Sequence, residues 1–201
     1  EPAQVKAAQE YLFGIQNVDE KDANYGGIGY GSRKQGSEDL SNTSTALAAL
    51  RMSGVLTSDP RMQRIVTFLQ NCQDLSSHNK NAWVKDNSGG AVYSPDESKV
   101  EGTWGTEPKP GEAKPTKLSA YGSMTYALIS SYLVLDIKPG DPRLDAAVGW
   151  AKANYRWDAN PGMVTGRERQ GLFYYFGAAA KTYDLLDAGA FALPDGKRVD
   201  W

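Results

Sequence analysis

The sequence predicts an all-α fold of stacked helix pairs, and three observations carry that prediction. Val5, Ala8, Leu12 and Ile15 are spaced by three and four residues, and Met62, Ile65, Leu69 and Cys72 repeat the spacing 57 positions later. Residues at those steps share one side of an α-helix, so each set marks an amphipathic helix with one apolar stripe. Between these sets lie runs such as Ala46, Leu47, Ala48, Ala49 and Leu50, which have no polar side and suit a helix buried all round. A Gly-Gly-x-x-Tyr turn, from Gly26 to Tyr30 and again from Gly89 to Tyr93, separates the first kind of helix from the second. Self-similarity of this kind is the mark of a repeat architecture, here with units at about 1–56, 57–137 and 138–201 of one domain.

The first unit opens with the amphipathic helix over residues 2–17, with Lys6, Gln9 and Glu10 on its polar side. A polar loop leads through Gly26 and Gly27 to the apolar helix, which starts at Asp39. Asp39, Ser41, Asn42 and Thr43 carry side-chain oxygens that can satisfy the free N–H groups of a first helical turn. The second unit opens at Asp59-Pro60, a capping residue followed by a proline where a missing N–H costs little. Its loop over 94–117 is rich in Pro, Gly, Lys and Glu and reads as an insertion. The apolar helix that follows begins near Ser119, with Thr125 matched to Thr45 at an offset of 80. Asp141-Pro142 repeats the Asp59-Pro60 start 82 positions on. Leu144, Ala147 and Ala151 continue the stripe, and a turn at Asn160-Pro161-Gly162 precedes an apolar helix from about Gln170. The turn at residues 194–197 is expected to lead toward a fourth helix pair. Stacked pairs of this kind form an open solenoid or a closed α/α-toroid, and the apolar inner helices favour the toroid.

Composition narrows the functional classes. A formal net charge of -2 and a pI near 5.5 give no electrostatic footprint for nucleic acid. No apolar run reaches the roughly 20 residues of a membrane span. Cys72 is the sole cysteine and His78 the sole histidine, so an internal disulfide and a cysteine-rich zinc site are excluded. No metal and no cofactor is expected. Cys72 falls on an apolar stripe and reads as core, while His78 lies in a polar stretch and reads as a surface residue.

The outer-helix ends Tyr11-Leu12-Phe13-Gly14-Ile15-Gln16 and Phe68-Leu69-Gln70-Asn71-Cys72-Gln73 resemble the repeat of squalene–hopene cyclases and protein prenyltransferase β-subunits. So do the Gly-Gly-x-x-aromatic turns and the helix starts Thr45-Ala46-Leu47 and Thr125-Tyr126-Ala127-Leu128. The resemblance covers nearly the whole chain and is closest to bacterial prenyltransferase/squalene oxidase repeat proteins of uncharacterised function. It implies the terpenoid cyclase/prenyltransferase-like α/α-toroid, of which three helix pairs would be part of a larger ring. It also implies an isoprenoid-like or other apolar small molecule bound in the barrel. If the protein is an enzyme, the chemistry implied is of the cyclase (isomerase or lyase) or prenyltransferase type. The cyclases protonate their substrate with Asp-x-Asp-Asp-Thr-Ala at the start of an inner helix. Here that stretch is Asp39-Leu40-Ser41-Asn42-Thr43-Ser44, in which the donor Asp is Ser41 and its partner is Asn42. Serine cannot protonate an alkene, so cyclisation of squalene or oxidosqualene is not expected.

Asp39 is the candidate general acid. Ser41, Asn42, Tyr121, Tyr126, Tyr174 and Tyr175 are the candidate substrate-binding residues, since stacked units gather them at one mouth of the barrel as an aromatic wall with a few polar groups. The reading that competes with this one has Asp39 as a helix cap and the tyrosines as packing residues with their hydroxyls at the wet end. Trp83 and Trp104 lie in irregular polar segments and read as loop anchors, with a cover over the pocket as the alternative. Glu97, Glu101, Glu107 and Glu112 invite comparison with glycan-active α/α-barrels, where paired carboxylates do acid–base work, but they share one solvated insertion. A non-catalytic scaffold for protein interaction or assembly is the functional alternative, with a second copy or the remainder of a longer chain completing the ring.

Overall fold

The computed structural model describes residues 2–31, 37–100, 118–186 and 190–200. Among them are six helices: α1 (Ala3–Gly14), α2 (Leu40–Met52), α3 (Pro60–Asn71), α4 (Gly122–Val134), α5 (Pro142–Ala153) and α6 (Leu172–Leu185). Among the described residues the regular structure is therefore predominantly helical, as the periodicity predicts. The tail departs from expectation. It forms an antiparallel hairpin of β1 (Ala190–Ala192) and β2 (Arg198–Asp200), with residue 191 opposite residue 199, around the turn expected to lead into another helix pair.

The helix starts follow from the caps. Asp59 and Asp141 accept hydrogen bonds from the N–H groups of Arg61 (2.8 Å) and Arg143 (3.0 Å), each with proline in the first turn. Asp39 caps α2 by accepting from Asn42 N at 2.8 Å. α4 has no side-chain cap of its own. Instead Asn160, from the loop after α5, accepts from Ser123 N at 3.0 Å, and Pro161 O accepts from Gly122 N at 2.7 Å. The start of α4 is thus fixed by the next helix pair.

α4 is the hub and packs against α2, α3, α5 and α6. Every residue from Tyr121 to Tyr132 is buried. At its C-terminal end the guanidinium of Arg51, from α2, donates to Val134 O (3.0 Å) and pairs with Asp136 (3.1 Å). Two connections are built alike. Gln16 Nε2 donates to Gly26 O (3.1 Å) and Arg61 O (3.0 Å), tying the end of α1 to its turn and to the start of α3. Gln73 Nε2 donates to Gly89 O (3.0 Å) and Arg143 O (2.8 Å), tying the end of α3 to its turn and to α5. Thr43 Oγ1 accepts from Ile28 N (2.9 Å), and Thr125 Oγ1 accepts from Ala91 N (3.0 Å). Gly26 and Gly89 have φ of +86° and +81°, and a Cβ there would lie 1.8 Å from Arg64 O or 2.4 Å from Ala146 O. Only glycine fits both the backbone conformation and the approach of the next helix.

Two register expectations are corrected. Thr125 corresponds to Thr43, not Thr45: both are the fourth residue after an N-cap, whereas Thr45 is exposed and donates to Ser41 O. In α1, Ala8 is exposed, while Gln9 and Phe13 turn inward. Gln9 Nε2 donates to Ser53 O at 3.0 Å, and Arg61 stacks its guanidinium 3.8 Å from the Phe13 ring centre. These tertiary partners outweigh the apolar spacing that favoured Ala8.

Candidate functional site

The N-terminal ends of α2, α4 and α6 meet at one mouth, and this is where the sequence places its candidates. Asp39 is 1% exposed. Its carboxylate accepts from both the backbone N–H of Asn42 and the Asn42 side-chain amide, at 2.8 and 2.5 Å. Tyr93 lies beside it, because Leu40 N donates to Tyr93 O at 2.8 Å. Tyr121 is buried at the start of α4, its N–H donating to Ala91 O at 3.1 Å. Tyr174, half-exposed at the start of α6, donates its hydroxyl to Ser41 Oγ at 2.9 Å and so joins α6 to α2 across the mouth. Asp39, Ser41, Asn42 and Tyr174 are thereby brought together, with Tyr121 within electrostatic reach of Asp39 and Tyr174.

Tyr126 and Tyr175 belong to a different cluster. Tyr126 packs edge-on against Tyr175 and Tyr183, with centroids 5.5 and 5.4 Å apart, and its hydroxyl shares a short hydrogen bond with that of Tyr183. Tyr175 turns its hydroxyl toward Arg156 O (2.7 Å), beyond α5. The physical reason is position along the helix. Tyr175 is the fourth residue after its N-cap, where α2 and α4 carry the inward-facing Thr43 and Thr125.

Electrostatics make the mouth a poor base. Burial, with the nearby Asp39 charge as the second cause, pushes the Tyr93 phenol well above its ordinary range. Burial also pushes the Tyr121 phenol well up and raises that of Tyr174. These phenols are neutral near pH 7 and act as hydrogen-bond donors and acceptors. The Lys99 ammonium lies 3.9 Å from the centre of the Tyr93 ring and pairs with Glu97, a cation–π contact that covers this tyrosine. Sequence reasoning passed over Tyr93, and with it Tyr30, which stands 76% exposed within electrostatic reach of Tyr93 and Tyr174. The signal was present: each closes a Gly-Gly-x-x-Tyr turn on the way to a helix, α2 or α4.

Two cavities lie elsewhere. A crevice of about 30 Å³ sits between α4, α5 and α6 against Tyr126, Ile129, Ala151 and Tyr183. A polar cleft of about 300 Å³ lies past the end of α5, lined by Asn154, Tyr155, Arg156, Asn160 and Glu168 among others. Neither touches Asp39, Ser41 or Asn42. Cys72 is fully buried, and burial pushes its thiol up, away from reactivity. His78 is half-buried with Nδ1 bonded to Ser77 Oγ, and Trp83 is buried under its loop. Glu101, Trp104, Glu107 and Glu112 lie outside the described residues. Among the described residues no cluster of His, Cys, Asp and Glu could hold a metal, and no helix is long and apolar enough to cross a membrane. Comparison with protein-family models, curated proteins and solved structures gave no match.

Proposed function

We propose that the chain is an arc of an α/α-toroid of the squalene cyclase/prenyltransferase repeat type, used as a non-catalytic unit of assembly. The like-built connections at Gln16 and Gln73, each binding the start of the next outer helix, support the repeat reading. The observation that carries the function is the dense packing around α4 among the described residues. α4 is buried on every side from Tyr121 to Tyr132, and the crevice beside it is about 30 Å³, about the size of a single water. An isoprenoid chain needs an apolar pocket roughly tenfold larger than this crevice or more, and the cleft of that size past α5 is polar. Meanwhile Phe173, near the start of α6, and Met52, at the end of α2, are 89% and 90% exposed. Sedimentation velocity over a range of concentrations tests the reading: reversible association is expected. Incubation with squalene or oxidosqualene should give no polycyclic triterpene. Product that disappears with Asp39→Asn would overturn the non-catalytic reading.

A second reading draws on the mouth. Tyr30, Tyr93, Tyr121 and Tyr174 stand around Ser41, Asn42 and the Asp39 carboxylate, a set of groups suited to an apolar molecule with one polar end. Saturable quenching of tyrosine emission by an isoprenoid alcohol, lost in Tyr174→Ala, would favour it. The glycan-active alternative has less support, since Glu97 is held by Lys99.

A further inference from the structure

The two internal seams have a shared anatomy. In α3 the carbonyl of Arg61 accepts from Gln16, the carbonyl of Arg64 abuts Gly26, and the Phe68 ring abuts Gly27. In α5 the carbonyl of Arg143 accepts from Gln73, that of Ala146 abuts Gly89, and the Trp150 ring abuts Gly90. Each outer helix thus presents a leading stripe at steps of three and four, ending in an aromatic ring, to the end of the preceding outer helix and its turn. The C-caps Ile15, Cys72 and Asn154 bring the helices into register. In that register the same stripe of α1 is Gln4, Ala7 and Tyr11, and all three are exposed, Tyr11 at 60%. The receiving end recurs as well. The residue after each C-cap is Gln16, Gln73 and then Tyr155, and Tyr155 lines the cleft of about 300 Å³ past α5. At the internal seams the first turn of the next outer helix fills this place.

Resting on the assembly reading, we propose that the cleft past α5 receives the α1 stripe of a second copy, so that copies join head to tail. The occupant is named by complementarity within the chain: among the described residues α1 is the outer helix whose leading stripe is open, and the receiving end past α5 holds a cleft. Such a contact is heterologous, with different surfaces on the two partners; it closes into a ring where the rotation between copies allows and otherwise propagates.

Two exposed positions test it. Tyr11→Arg blocks the stripe, and Ala153→Arg, on the last turn of α5 at the cleft, blocks the receiver. Both lie on the surface, and unchanged circular dichroism melts will verify that both variants fold. In sedimentation velocity, at a concentration where the unmodified protein associates, each variant alone should run as a monomer. Mixed in equal amounts they should form a 1:1 complex of doubled mass, through the intact stripe of one and the intact cleft of the other. Self-association of either variant, or a mixture that stays monomeric, would overturn head-to-tail joining and leave the assembly reading standing. An unmodified protein that stays monomeric at every concentration would overturn both.

Discussion

The residue after the C-cap of α3 and the residue after the C-cap of α5 occupy matching places and do different things. Gln73 is fully buried, and both ends of its amide are used: Nε2 donates to two carbonyls and Oε1 accepts from Tyr132 OH at 2.9 Å. Tyr155 is aromatic, packs edge-on to Trp157 at 5.6 Å, and borders a cleft. A flexible amide that bridges two backbones makes a joint, whereas an aromatic ring at the same place makes a wall. Gln16 lies between these cases. It makes both donor contacts, but α2 carries Leu50 where α4 carries Tyr132, and Gln16 Oε1 has no partner among the described residues. The joint at Gln73 should therefore be the stronger of the two.

The largest effect is expected where a joint depends on glycine. Gly26→Ala must place a Cβ 1.8 Å from Arg64 O in a left-handed backbone, and should destabilise by about 3 kcal/mol or more in urea unfolding. Gly166→Ala has a similar φ of +86° with no atom within 4 Å, and should lose only about 1 kcal/mol. Equal losses would show that α3 does not press on Gly26.

Next is the amide itself. Gln73→Ala strands two carbonyls and the buried Tyr132 hydroxyl, and should cost about 2–4 kcal/mol by the same measurement. Gln16→Ala should cost less, and Tyr155→Gln should change stability by under about 1 kcal/mol. A Gln16 variant weaker than the Gln73 variant would break the ranking. Smaller again is the contrast between threonines. Thr43→Val removes the acceptor of Ile28 N and should cost about 1–2 kcal/mol, while Thr45→Val, on the surface, should stay within about 0.5 kcal/mol.

The smallest effect is in acid. The hydrogen bonds from Arg143 hold the Asp141 carboxyl at about 2, below its value in an unfolded chain. A depressed folded-state value means stability that is present above about pH 4 and is lost as pH falls through about 2. Partial exposure screens it, so Asp141→Asn should flatten the acid limb of a stability–pH curve by about 1 kcal/mol. An unchanged limb would show that the Arg143 pairing adds nothing to the α5 joint.

Much of this was legible in the sequence, and the losses have physical causes. The Asp-Pro starts of α3 and α5 and the Gly-Gly turns are local signals, because cap and turn chemistry is decided within a few residues. The Thr45 match failed because the two threonines of one helical turn differ only in the loop they face, which no spacing reveals. Ala8 failed because α1 takes its partners from α2 and α3, which favour Gln9 and Phe13. At the candidate site, Asp39 with Asn42 was readable as a cap, and Ser41 with Tyr174 as neighbours once the helices stack. Tyr126 and Tyr175 were not readable, since one step of register around a helix moves a ring from the mouth to the interior. The strands of the tail left no signal stronger than their turn.

Amide hydrogen exchange at Ile28 and Ala91 tests the like-built joints most directly. Both amides are buried and donate to a threonine hydroxyl of the following helix, α2 or α4, at 2.9 and 3.0 Å. If the two joints are equivalent parts of one core, both amides should exchange only through global unfolding, with matching protection, while Arg156 at the cleft exchanges through local opening. Protection at Ile28 and Ala91 that differs by several orders of magnitude, or that falls to the level of Arg156, would contradict it.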